Sequence, residues 1–129
     1  MPQINDLLGK EFRDGGRGPD AYDCWGLVCE VFRRYDMIVP DYQVSCREAS
    51  RIDQTYRENR KYWIRVQNDI PVPALVVVRF NEAVFCNHTG VYLGSGRFIH
   101  AREKTGVCVE PLDHPYWKRV VEGFYKPGW

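Results

Sequence analysis

Cys24, His88 and His100 are the residues whose types and placing could carry nucleophilic chemistry in this chain. A thiol attacks a carbonyl when part of it is thiolate and a nearby base can take its proton and later return it to a leaving group. The stretch Tyr22-Asp23-Cys24-Trp25-Gly26-Leu27-Val28 offers a setting for the first condition. It follows a glycine- and proline-rich run over 14–20 that cannot be the interior of an element, so a helix begins only after it, with Asp23 as N-cap. Cys24 then occupies the first turn, where unsatisfied backbone N–H groups and the positive end of the helix dipole favour a thiolate. Cysteine is also a common small buried residue, and this stretch alone leaves a packing role open.

The two histidines address the second condition. They flank Gly94-Ser95-Gly96, a turn between two strands, and their residue numbers sum to an even value. Side chains alternate along a strand, so an odd-length loop puts both rings on one face and a two-residue loop puts them on opposite faces. The expectation is an odd loop or a compensating bulge. If the shared face meets the start of the Cys24 helix, His88 can take the thiol proton and His100 can orient the His88 ring, a Cys-His-polar triad. The alternative is a pair of partly exposed strand histidines beside a turn.

These groups need a helix and a sheet to position them. Leu27, Val28, Val31 and Phe32 give the helix one apolar face and leave Glu30, Arg33 and Arg34 outward. Before it, residues 5–12 read as a short helix or turn burying Leu7, Leu8 and Phe12; after it, Pro40 marks an exit into extended chain. Residues 45–65 are rich in charge and suit a solvated helix or two. Their basic side chains, Arg47, Arg51, Arg57, Arg60, Lys61 and Arg65, form either a face for an acidic partner or an ordinary solvated face. Strands are expected over 74–80, 87–93, 97–102, 106–110 and 123–125. A helix followed by consecutive antiparallel strands is an α+β arrangement.

Composition sets outer limits. The chain has 129 residues, 44% of them hydrophobic, which suits a single domain over 1–129 with 45–65 as an accessory charged segment. A formal charge of +1 with scattered arginines gives no footprint for nucleic acid. The N-terminal residues lack a basic run followed by an apolar core, and no apolar run approaches membrane-spanning length, so synthesis in the bacterial cytoplasm without a signal peptide is expected. Five cysteines, an odd number without staple spacing, are expected as free thiols.

Three segments in order, Asp23-Cys24-Trp25-Gly26-Leu27-Val28, Asn87-His88-Thr89-Gly90-Val91-Tyr92-Leu93-Gly94 and Arg97-Phe98-Ile99-His100-Ala101, resemble the signature segments of the NlpC-type cell-wall cysteine peptidases. Those papain-like enzymes cleave the γ-D-glutamyl bond to a diamino acid in peptidoglycan stem peptides. The resemblance runs from about Gly15 to the C-terminus. It implies a papain-like NlpC-type fold, with the nucleophile helix packed on a small antiparallel sheet of about five strands. It also implies Cys24 as nucleophile, His88 as base, His100 as third polar residue, and no metal or cofactor. Residues 113–119 resemble the family's segment after the last strands, where His114 matches no catalytic position and is assigned a surface or structural role. Residues 15–28 and 121–127 are similar to the short members found among phage tail proteins, which implies tail-tip partners and delivery to the wall in the particle.

Two departures stand out. Many members have serine after the nucleophile, binding the substrate's free amino end together with the preceding aspartate; here Asp23 matches and Trp25 replaces the serine. Asp23, Trp25 and Tyr22 are the candidate substrate-binding residues, with Tyr22 either lining the cleft or packing under the glycine-rich loop. Pro73-Ala74-Leu75 stands where the family has Pro-Gly-Asp. Two rival readings are a zinc site built from Cys86, His88, His100 and Cys108, and a structural tail component with a peptidase-like fold and no activity.

Overall fold

In the computed structural model, which describes residues 2–84 and 86–129, helix α1 spans Cys24–Arg34. Asp23 caps it: its Oδ1 accepts from the Gly26 N–H at 2.7 Å, satisfying one of the free donors at the helix start. Leu27, Val28, Val31 and Phe32 are fully buried, and Glu30 on the outer face pairs with both Arg33 and Arg34. Arg34 reaches back to Asp6, tying the N-terminal segment to the helix.

The main sheet has six strands in the order β3-β8-β4-β5-β6-β7, every neighbouring pair antiparallel. They are β3 Trp63–Val66, β4 Ala74–Val78, β5 His88–Gly94, β6 Arg97–Arg102, β7 Gly106–Pro111 and β8 Val121–Pro127. β4 is buried along its whole length, which explains its unbroken aliphatic run: both of its faces are covered. On one face Leu75, Val77, Val91, Ile99, Ala101 and Tyr125 pack with α1 and with Tyr56 of helix α2, Ala49–Asn59. On the other, Val76, Val78 and Phe98 pack with Trp117 and Val120 of helix α3, Pro115–Val120.

The expectation of about five strands falls short by β3, which lies in the segment read as solvated helix. Only Ala49–Asn59 of that segment is α-helical, followed by a 3-10 turn over Arg60–Tyr62. β3 is an edge strand that buries Trp63 and leaves Ile64 and Arg65 exposed, so its charged texture reports the sheet edge rather than a helix. Near the N-terminus the expected short helix or turn is a single 3-10 turn over Asn5–Leu7. Leu7 is buried and Leu8 is exposed. Strand β1, Glu11–Phe12, follows and pairs in parallel with β2, Ala21–Tyr22. Gly106 allows this segment to close on the edge of the main sheet. It has φ +80, and a Cβ there would stand 2.4 Å from the Lys10 carbonyl. Val107 N–H donates to that carbonyl at 2.9 Å.

The β5–β6 hairpin turns through Ser95 and Gly96, both at positive φ, and so has the two-residue loop that would separate the histidines. A register shift between Tyr92 and Gly94 reverses that outcome: Gly94 pairs with Arg97, but Tyr92 pairs with Phe98 and Val91 with Ile99. One extra residue in β5 restores the parity that puts His88 and His100 on one face. This is the compensating bulge.

Candidate active site

His88 and His100 do not face helix α1. Pairing of β4 with β5 sets His88 opposite Val78, on the face that packs against α3, and the His100 ring lies 5.1 Å from Trp117 and 4.5 Å from Phe98. α1 covers the other face. The β5–β6 ladder stops at Val91 and Ile99, short of Thr89, His88 and His100. There the Cys24 sulfur lies against the hydroxyl and backbone N–H of Thr89 and the N–H of Trp25, and Cys24 and His88 line one cavity. Thr89 Oγ1 is buried there without an aligned hydrogen-bond partner among the described residues. Gly90 makes room for the paired rings, since a Cβ on it would stand 3.0 Å from the His100 Cβ and 2.7 Å from the Ile99 carbonyl.

The rings form a line. His88 Nε2 and His100 Nδ1 are 2.8 Å apart, and His100 Nε2 is hydrogen-bonded to Glu110 Oε2. That leaves His88 Nδ1 as the nitrogen available to the thiol. Glu110 escaped the sequence reading. The signal was present in the alternation of β7, where Cys108 sits opposite His100 and Glu110 lies two residues on, on the same face. Nothing local marks it, because its partner is ten residues away across a turn.

Burial dominates the protonation of this line. It lowers His88 well below the ordinary 6.5, with the charges of His100 and Arg102 acting in the same direction. It lowers His100 to about 3, again helped by Arg102. The Cys24 thiol is pushed up to about 11 by burial and by the Asp23 charge, against the N–H groups of Thr89 and Trp25. The expectation of a thiol lowered by the helix start is therefore corrected: desolvation outweighs the helix end. Burial thus favours the uncharged form of both the Cys24 thiol and the His88 imidazole.

These shifts give the fold a stability maximum between mildly acidic and mildly alkaline pH. Histidines of the unfolded chain bind protons below 6.5 while His88 and His100 do not, so unfolding is favoured as pH falls below that value. Thiols of the unfolded chain ionise near 9.0, but Cys24, Cys29, Cys86 and Cys108 hold their protons to about 11. Stability therefore also falls as pH rises above 9.0. Thermal midpoints measured across this range should drop on both sides, and an acid limb unchanged in a His88→Ala/His100→Ala double variant would contradict the assignment.

The cavity at Cys24 has a volume of about 90 Å³ and is walled by Trp25, Tyr42, Ile52, Tyr56, Trp63 and Leu75 among others. Trp25 is fixed by donation of its Nε1 to the Pro40 carbonyl at 2.8 Å and by packing on Tyr42. Asp23 also borders the cavity, but its carboxylate is spent within the fold. It accepts from Gly26 N–H, from Gly15 N–H at 3.0 Å and from Arg17 Nη1 at 2.7 Å, and it is only 2% exposed. Tyr22 is not among the cavity residues. A Cβ on Gly18 would stand 2.5 Å from its hydroxyl, and Tyr22 is buried, packed under the glycine-rich loop.

The NlpC/P60 family model matches residues 9–125. The chain belongs to the NlpC/P60 family. Among its relatives is a murein DD-endopeptidase MepS/murein LD-carboxypeptidase of Escherichia coli (strain K12), 27% identical over 120 residues that cover 92% of this chain and 56% of that protein. Another is the probable endopeptidase YafL of the same strain, 30% identical over 122 residues, covering 90% of this chain and 44% of that protein. The chain thus spans about half the length of these relatives. The fold matches that of an NlpC/P60 family protein from Bacillus cereus with TM-score 0.68 at 17% identity, covering 98% of this chain and 41% of that one. It also matches a lipoprotein-like NLP/P60 protein from Staphylococcus aureus with TM-score 0.67 at 20% identity, covering 94% and 37%.

In this NlpC/P60 domain the charged segment over 45–65 borders the cavity through Ile52, Thr55, Tyr56, Asn59 and Arg60, among others. Its basic face is largely neutralised: Arg51 pairs with Glu48, Arg57 with Asp53, Arg65 with Glu122 and, at 4.0 Å, Arg47 with Asp14. The zinc set Cys86, His88, His100 and Cys108 is not assembled. Cys86 is buried in the α1-side core, and among the described residues the ligand-type atoms that converge are those of His100, Cys108 and Glu110. All five cysteines are free. His114 has the structural role expected, its Nδ1 accepting from Tyr116 N–H at the start of α3. No helix among the described residues is long and apolar enough to cross a membrane.

Proposed function

We propose that this domain is a cysteine endopeptidase of peptidoglycan, cutting the γ-D-glutamyl bond to the diamino acid of stem peptides. The observation that carries the reading is the 2.8 Å contact between His88 Nε2 and His100 Nδ1, which leaves His88 Nδ1 for the thiol in the cavity shared with Cys24. The murein endopeptidase names among the relatives supply the polymer.

Cys24 gives its proton to His88 Nδ1 as its sulfur attacks the carbonyl carbon. The backbone N–H groups at the start of α1 meet the developing oxyanion. The His88 proton passes to the leaving amine as the C–N bond breaks, leaving an acyl thioester on Cys24. Water, deprotonated by His88, then breaks the thioester, and the proton returns to the sulfur. His100 holds the His88 ring in the plane these transfers need. Trp25 shapes one wall of the cavity, and Asp23 acts by holding the first turn of α1.

Digestion of purified muropeptides, with fragment masses, tests the bond. Products whose new amino end is the diamino acid support the reading. Cleavage confined to D-alanyl cross-links would replace it with the activity named for the Escherichia coli relative.

The likeness of residues 15–28 and 121–127 to short phage tail members supports a finer reading, a tail-tip component that opens the wall during particle entry. Its candidate partner surfaces are the charged segment over 45–65 and the C-terminal residues 126–129. There Trp129 packs on Trp63 with ring centroids 5.0 Å apart and remains 59% exposed. Co-purification with tail proteins supports that role; an active monomer that binds none of them removes it.

A further inference from the structure

We propose that Glu110, acting through His100, decides which nitrogen of His88 carries the proton and so makes the edge of the ring facing Cys24 a proton acceptor. This deepens the peptidase reading and rests on it. Two neutral imidazoles joined by one hydrogen bond have two polarities of equal standing: either ring can donate. An ionised carboxylate breaks the tie because it only accepts. Glu110 Oε2 therefore requires the proton of His100 on Nε2, which leaves Nδ1 as a lone pair. His88 Nε2, 2.8 Å away, must then donate to it. The remaining nitrogen, His88 Nδ1, is then a lone pair, on a ring that lines the same cavity as the thiol. A donor in the place of Glu110 would reverse each step and set an N–H against the S–H of Cys24.

The surroundings favour one polarity. His100 is fully buried, so solvent does not compete for its nitrogens. The groups facing the carboxylate are His100 itself, Arg102 from β6 at 3.5 Å and Cys108 from β7 with its sulfur at 3.8 Å. Arg102 is held over the Phe80 and Trp117 rings, 5.2 and 5.7 Å from their centroids, and so keeps a cation beside Glu110. Glu110 touches neither Cys24 nor the cavity among the contacts described; it is a positioning residue. When His88 becomes imidazolium, the same line presents an acceptor to the charge at its Nε2.

Ring-nitrogen NMR of the wild-type protein at neutral pH tests the polarity directly. Both His88 and His100 are expected as the Nε2–H tautomer, and a proton on Nδ1 of His88 overturns the proposal. In parallel, Glu110→Leu is expected to lower kcat on muropeptides by about a hundredfold with KM nearly unchanged, in the range seen when carboxylate partners of functional histidines are removed. It should also mix the His88 tautomers, while Glu110→Asp retains the wild-type tautomers and most of the activity. Unchanged kcat and tautomers in Glu110→Leu would reduce Glu110 to packing. If Glu110→Leu does not fold, the wild-type spectrum and Glu110→Asp still decide. A wild type that shows the expected tautomers but cuts no muropeptide would sink the peptidase reading and leave the tautomer assignment standing.

Discussion

Replacing Cys24 with alanine is expected to lower muropeptide cleavage by about ten-thousandfold or more, the scale of losing the nucleophile from a cooperating set. Of the other thiols, Cys29 lies five residues along α1, Cys86 is in the core and Cys108 is beside Glu110; Cys46 borders the cavity but stands in the loop tied to Asp14, not at the backbone N–H groups at the start of α1. The fold should be retained, since the sulfur's neighbours are one hydroxyl and backbone N–H groups at a cavity wall. Circular dichroism should be unchanged and the thermal midpoint within a few degrees, because the side chain leaves existing open space rather than a sealed void. Equal digestion by wild type and Cys24→Ala would leave only the structural tail role.

Gly26→Ala should give the largest loss of stability. Taken as a helix residue, glycine to alanine gains about 1 kcal/mol in propensity. Tertiary contact reverses the sign: a Cβ on Gly26 would stand 2.0 Å from the Gly16 carbonyl oxygen. That oxygen also accepts from Asp23 N–H at 3.1 Å and Arg17 Nη1 at 3.0 Å. Gly16 cannot simply retreat, because its own position is set by backbone at Arg13 and Ala21. Something must give in the loop or the first turn, at about 3 kcal/mol or more, the upper range for overpacking. Because Asp23 and Cys24 stand on that turn, activity should fall with stability. Gly15→Ala is the control: it meets nothing within 4 Å and carries only the strain of φ +78, worth about 1–2 kcal/mol. Chemical denaturation that ranks Gly15→Ala at or below Gly26→Ala in stability would show that the loop yields freely.

Local pattern reached far into this fold. The spacing of Leu27, Val28, Val31 and Phe32 with Asp23 before them specified α1 and its start, because capping and amphipathic burial act within a few residues. The aliphatic run from Ala74 specified the central strand, and the turn at Gly94-Ser95-Gly96 was legible as punctuation. β3 was not, because four residues at a sheet edge carry too little buried surface to stand out from the charged helix before them. The parity of the histidines was legible as a condition; that a bulge between Tyr92 and Gly94 meets it was not.

By itself the sequence named the candidate reacting groups and their order, the helix that carries Cys24, the hairpin that carries His88 and His100, and the family they resemble. Only the tertiary structure decided that the histidines face α3 while Cys24 and His88 still border one cavity. It alone brought in Glu110, closed Asp23 into the fold with Arg17, removed Tyr22 from the cavity and made α2 one of its walls. It also reversed the expected shift of Cys24. The physical reason is range: propensity, capping and alternation are set by near neighbours in the chain, whereas desolvation and hydrogen-bond polarity depend on groups brought together from distant strands.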